Sequence, residues 1–196
     1  MGIPMSDIQV LSPTRKNELG TRNLNKLLQN ALNPGEKGKN EKEYGDFLYR
    51  EGDKVMQIRN NYDIMWKTPD GMTSGNGVFN GDIGTVHSID HRNEILTVDY
   101  DDKRVEYLFE QLIELEPAYA MTVHNSQGSE YGAVVLAALG GAPRLLVRSV
   151  LYTAVTRAKK LLVIVGDDSV ISTMVSNDRR QRRYSGLRAR LCDGVY

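Results

Sequence analysis

Ala118-Tyr119-Ala120-Met121-Thr122-Val123-His124-Asn125-Ser126-Gln127-Gly128-Ser129-Glu130 is the stretch on which the reading of this chain turns. Its first five residues are small or apolar and end in a threonine, the pattern of a short buried strand. The polar residues that follow form a loop leaving the strand's carboxyl end. In open α/β sheets that end is where ligands bind. Hydroxyl and amide groups at Thr122, Ser126 and Gln127 can hold phosphate or sugar oxygens without adding net charge. Gly128 permits close backbone approach, and Glu130 can accept hydrogen bonds from ribose hydroxyls. By composition alone, a polar loop with one glycine is also simply a loop.

Downstream, Ala133 to Leu139 reads as a second buried strand, Arg144 to Lys159 as a helix, and Leu161 to Val165 as a third strand. Asp167 or Asp168 caps a helix running to about Met174. Upstream, Ile8 to Leu11 is a strand stopped by Ser12-Pro13. Leu24, Leu27, Leu28, Ala31 and Leu32 recur at helical spacing between a Thr21 cap and the stop Asn33-Pro34-Gly35. Buried strands alternating with helices predict an α/β layer. Between its two parts the period changes. Val55 to Ile58, Ile83 to Ile89, Ile95 to Tyr100 and Arg104 to Leu108 read as short strands of an all-β insert, a small barrel or sandwich. Gly35 to Asp46 reads as a linker or long loop, and Asn60 to Gly81 as a long excursion with three turn signals. Trp66, the single tryptophan, lies in that excursion, either stacking on a base or folded back onto the insert.

The 25 basic and 25 acidic side chains cancel. They are segregated, however: residues 1–50 carry +2, residues 51–116 carry −8 and residues 117–196 carry +6. On charge alone these are solvated faces. One cysteine, Cys192, excludes an internal disulfide framework and fits a reducing compartment, the cytoplasm. The longest apolar run is too short for a membrane span, and no secretory leader opens the chain. His87, His91 and Cys192 lack metal-ligand spacing, so no metal is expected. Six arginines between Arg179 and Arg190 form either a nucleic-acid contact or a solvated helix face packing Leu187 and Leu191 inward.

Arg157, in Tyr152-Thr153-Ala154-Val155-Thr156-Arg157-Ala158-Lys159, ends a largely apolar helix. A guanidinium there needs an anionic partner, either a phosphate matched by its planar fork or an intramolecular carboxylate.

Together these segments resemble the C-terminal region of superfamily 1 helicases of the RecD-like kind. Thr122 to Glu130 is similar to helicase motif V and Tyr152 to Lys159 to motif VI. Leu11-Ser12-Pro13-Thr14-Arg15 and Leu24 to Gln29 resemble the motif IV region. Gly52 to Gln57 and Val78 to Gly84 resemble the SH3-like β-barrel inserted in the second motor domain. The resemblance implies an α/β, RecA-like (P-loop NTPase-type) second motor domain over residues 1–46 and 117–196, with the barrel at 47–116. Arg157 would be the arginine finger, with Arg15 a second phosphate contact. Gly128 and Glu130 would face the nucleotide, and Thr122, His124, Ser126 and Gln127 single-stranded DNA. Asn125 departs from the family, which carries lysine there, and removes a charge from the phosphate track.

No G-x-x-x-x-G-K-[ST] loop and no Asp-Glu dipeptide occurs. The resemblance therefore implies that ATP and magnesium are bound mainly by a first motor domain absent from this sequence. The fragment alone is expected to be inactive, with no tightly bound cofactor. The implied whole is an ATP-dependent 5′-to-3′ DNA helicase of recombination and repair, acting alone or as an exonuclease V subunit. The alternatives are a non-catalytic DNA-binding or protein-interaction module, or a conjugation-type superfamily 1 helicase.

Overall fold

Ile8–Ser12 forms β1, and Thr21–Leu32 forms α1. They open a computed structural model that describes residues 2–139 and 143–178. Eight more strands and their turns lead to β10: β2 (Glu41–Tyr44), β3 (Phe47–Arg50), β4 (Lys54–Gln57), β5 (Asn61–Lys67), β6 (Ser74–Val78), β7 (Ile83–Asp90), β8 (Ile95–Tyr100) and β9 (Lys103–Leu108) precede β10 (Leu115–Pro117). The chain then returns through β11 (Ala120–Thr122), β12 (Tyr131–Ala138), α2 (Arg148–Val155), β13 (Ala158–Gly166) and α3 (Asp168–Ser176).

Two main sheets result. The first is parallel, in the order β11-β1-β12-β13. β12 is central and buried along nearly its whole length, as expected of a parallel strand covered on both faces. The second is antiparallel throughout, in the order β10-β4-β7-β8-β9-β5-β6. Among the described residues no ladder joins β6 to β10, so the pairing is that of a sheet with two edges. Tyr49, Leu96, Val98, Val105, Tyr107 and Leu112 fill its core. Met56, Ile58 and Ile83 of the insert instead join the core of the parallel sheet, beside Leu11, Met121, Val134 and Leu136.

The structure corrects several expectations. Residues 41–44, expected in a loop, pair with β3 as a hairpin. The excursion from Asn60 to Gly81 is mostly the hairpin β5–β6, closed by a turn in which Thr68 N–H donates to Thr73 O at 2.8 Å. Trp66 is folded back onto the insert core, with Lys103 Nζ 5.2 Å from its ring centre. α2 is shorter than the apolar spacing suggested, and Ala158 to Lys160 already belong to β13. Gly20, not Thr21, caps α1, and Thr21 is its first residue; a Cβ at 20 would lie 2.4 Å from the Lys16 carbonyl oxygen, so the position suits glycine. The arginine-rich stretch 179–190 and Cys192 lie outside the described residues.

α1 holds the largest surprise. Its leucines are not its buried face: Leu27 and Leu32 are exposed, while Thr21, Asn25 and Gln29 are buried, followed by Asn33 one turn on. A polar stripe at i, i+4, i+8 and i+12 docks the helix, and hydrogen bonds replace the usual apolar seam.

Candidate functional site

All four strands of the parallel sheet point the same way, so their ends define two sites. Ser12 of β1 pairs with Thr122 of β11, placing the loops after both strands at the carboxyl end. Ile8 pairs with Ala133, and Tyr131 with Ala158, so Glu130 and Arg157 lie at the amino end. Four residues of β1 at about 3.3 Å each put the two levels roughly 13 Å apart. Residues 123–130 therefore run the length of the sheet, connecting one end to the other.

That connection is a series of tight turns. Thr122 is buried, and its Oγ1 accepts the Asn125 N–H at 3.2 Å. Ser126 is fully buried and donates its hydroxyl to Val123 O at 2.8 Å. Both hydroxyls therefore help to hold the shape of the loop. His124 and Gln127 are exposed, and so is Gly128, at φ +92 with open space around its Cα. A left-handed backbone there strains any residue with a Cβ.

At the amino end the two sequence motifs meet. Tyr131 N–H donates to Arg157 O at 2.9 Å, and Arg157 Nη1 donates back to Ser129 O at 2.8 Å. Arg157 Nε also reaches Thr153 O at 3.3 Å, and Nη2 reaches Thr156 Oγ1 at 3.3 Å. Each partner is a neutral oxygen, and among the described residues no carboxylate pairs with this guanidinium. Of the two anionic partners offered by the sequence, the intramolecular carboxylate is not used among the described residues. Three of the five N–H groups are engaged, leaving a positive charge and part of the fork uncommitted. Glu130 pairs with Lys159 at 3.5 Å, both side chains more than half exposed, so the pair is worth little to stability.

Arg15 leaves the carboxyl end of β1, and its guanidinium lies 3.7 Å from Glu116 in β10. The length of the sheet separates its backbone from that of Arg157. No group of three or more His, Cys, Asp or Glu side chains suited to a metal occurs among the described residues. No helix among them is long and apolar enough to cross a membrane.

The sequence motifs did not point to the group that joins insert, helix and loop. Asp53 is fully buried and, among the described residues, has no salt-bridge partner, yet accepts four hydrogen bonds. Asn33 Nδ2 (2.7 Å) and Tyr119 Oη (3.0 Å) donate to Oδ1, while Gln29 Nε2 (2.5 Å) and the Arg50 N–H (2.7 Å) donate to Oδ2. Burial pushes its carboxyl above the usual range, and the four donated bonds oppose that by favouring the ionised form. Burial also raises the Tyr119 phenol, with the Asp53 charge adding to the effect. The available signal was Asn25, Gln29 and Asn33 at helical spacing, a second stripe beside the leucines.

Known families match both parts of the chain. Residues 24–100 match the SH3 domain of ATP-dependent RecD-like DNA helicases, and residues 117–165 match the UvrD-like helicase C-terminal domain. The ATP-dependent RecD2 DNA helicase of Deinococcus radiodurans is 37% identical over 175 residues, covering 89% of this chain and 22% of that protein. The chain belongs to the RecD-like superfamily 1 helicases. A further RecD-like relative, the RecBCD enzyme subunit RecD of Haemophilus influenzae, is 29% identical over 94% of this chain and 25% of its own length. The chain thus spans between a fifth and a quarter of these two relatives. Among solved structures, Bacteroides Pif1 bound to single-stranded DNA superposes with a TM-score of 0.51 at 16% identity, over 95% of this chain and 46% of that one. Pif1 helicase from Candida albicans gives 0.50 at 13%, over 92% and 49%. At these identities the likeness is one of fold, and the RecD-like chain shares the architecture of Pif1-type helicases.

Proposed function

We propose that this chain is the second motor domain and SH3-like barrel insert of an ATP-dependent 5′-to-3′ DNA helicase, working in recombination or repair in the cytoplasm. Residues 1–46 and 117–196 form the motor part and 47–116 the insert. The observation that carries the reading is the clasp between Arg157 and Ser129–Tyr131, which holds the guanidinium in place with no carboxylate partner among the described residues. Such a group is preorganised for a phosphate, whose oxygens match its fork. Arg157 acts as the arginine finger toward ATP, which with its magnesium is bound mainly by a first motor domain. Arg15 is the weaker phosphate contact, since it already has Glu116. Gly128 and Glu130 face the nucleotide. His124 and Gln127 meet the backbone of single-stranded DNA, and Thr122 and Ser126 serve that contact by holding the loop's turns. The loop runs from one end of the sheet to the other, so a shift at the nucleotide is felt at the strand.

The test is Arg157→Ala in the protein that also carries the first motor domain. ATP turnover should fall by about 10³–10⁵, the usual worth of an arginine finger, while affinity for single-stranded DNA stays within about twofold. Undiminished turnover, or loss of DNA binding with turnover retained, removes Arg157 from this role. The 196-residue chain alone should show no DNA-stimulated ATPase.

A further inference from the structure

The insert is fastened to the parallel sheet at the point where the motif V strand begins. β10 pairs with β4 in the insert, and β11 pairs with β1 in the parallel sheet. Only residues 118 and 119 separate them, so the chain changes sheets within two peptides. Each of those peptides is held. Ala118 N–H donates to Lys54 O at 2.8 Å, and the fully buried Gln9 carboxamide donates to Ala118 O and Tyr119 O, both at 3.1 Å. Lys54 reaches back to Ser6 O at 3.2 Å. Tyr119 itself is tied through its hydroxyl to Asp53.

We infer that Asp53 is a positioning residue for the motif V loop: its carboxylate locks Tyr119 against the insert and α1, and so sets how β11 and residues 123–126 lie. The inference rests on the proposed role of that loop. Its ground is the donor set. Four N–H or O–H groups from α1 and its C-terminal cap, from the end of β3 and from Tyr119 converge on one carboxylate, with no cation among them. Burying such a group costs more than an apolar residue of the same volume would, so bulk stability does not account for it. An acceptor-only group that gathers donors from three separate segments fixes their relative positions, as no apolar contact can. It does so at the crossing between the sheets.

Tyr119→Phe tests this with the least damage, removing one hydroxyl and keeping the ring. Asp53→Asn is the stronger variant, turning one acceptor into a donor that faces donors. Amide hydrogen exchange on the full 196-residue chain is the readout. Exchange at residues 120–126 should quicken about tenfold in Tyr119→Phe, and more in Asp53→Asn, while β8 and β9 stay within about twofold of the unaltered chain. Equal quickening across both segments would reveal a merely structural residue, and no change at 120–126 would remove the role altogether; either overturns the inference. The same samples are then titrated with a fluorescein-labelled oligothymidylate in the presence of the first motor domain. An unaltered protein that fails to bind it sinks the helicase reading, whereas the exchange rates bear on Asp53 alone.

Discussion

Asn25 offers the sharpest trial of how α1 is docked. β11 is an edge strand of the parallel sheet, and Ala120 turns its N–H and its carbonyl outward. The buried Asn25 carboxamide meets both: Oδ1 accepts the Ala120 N–H at 2.8 Å, and Nδ2 donates to Ala120 O at 2.9 Å and Pro117 O at 3.0 Å. The side chain thus does the work of a neighbouring strand's peptide. Asn25→Ala leaves one N–H and two carbonyls buried without these partners. At about 1–3 kcal/mol for each unsatisfied group, with some relief from entering water, the loss should be roughly 3–5 kcal/mol. That is a large share of the roughly 5–15 kcal/mol typical of a domain. Asn25→Asp should be worse at neutral pH. It keeps the acceptor, but sets a second anionic oxygen against two carbonyls. Below the ordinary aspartate range, near pH 4, the protonated acid can donate one bond, and Asp should then overtake Ala. Urea unfolding followed by circular dichroism at pH 7 and at about pH 3.5 reads both comparisons, with shifts of about 1–2 M in midpoint for slopes of about 2–3 kcal/mol/M. An Ala variant within about 0.5 kcal/mol of the parent, or an Asp variant more stable than Ala at pH 7, would refute this picture of the edge.

Three further outcomes are expected. Gly75→Ala would place a Cβ 2.5 Å from the Trp66 ring, so the ring must turn outward; as Trp66 is the single tryptophan, its emission should shift to the red, and an unchanged spectrum counts against the packing described. Gly84→Ala would set a Cβ 2.6 Å from Val98 Cγ1 and 2.7 Å from Asp99 O, overpacking the β7–β8 ladder at a cost of about 1–3 kcal/mol, measured by thermal unfolding. Burial raises the phenols of Tyr49, Tyr100 and Tyr107 well above the ordinary value near 10, so their contribution is complete below pH 10 and is lost as pH rises beyond it. In an alkaline titration followed by tyrosinate absorbance these three of the ten tyrosines should stay silent until the chain unfolds. A smooth titration of all ten near pH 10 would contradict their burial.

Where one physical signal dominated, the element could be read from the residues. β1, β7, β8, β9 and β12 follow from runs of branched apolar residues bounded by turns, which leave few other ways to bury them. β2 and β6 are hidden because their composition is that of loops: Glu41-Lys42-Glu43-Tyr44 and Ser74-Gly75-Asn76-Gly77-Val78 become strands through pairing with partners, not through their own preference, and β5, with Ile64 and Trp66, is obscured by the turn signals that follow it. Within the site, the polar types in the loop after β11 stood out, yet their availability did not. Thr122 and Ser126 look as open as His124 and Gln127 until their burial and the turns their hydroxyls brace are seen.

The division follows from the range of the forces. The RecD-like motifs, the succession of an α/β layer, a β-rich insert and a second α/β stretch, and the segregation of charge are all local patterns, legible in the order of the residues. Which face of α1 is inward, which end of the sheet holds Arg157, and what keeps the insert in place depend on groups far apart in the chain meeting in a space without water. Asp53 with Tyr119, Asn25 with Ala120 and Gln9 with Ala118 are such meetings. Hydrogen bonds between buried polar groups depend on direction and partner, and no period in the chain encodes either; they are settled when the folded chain brings the groups together.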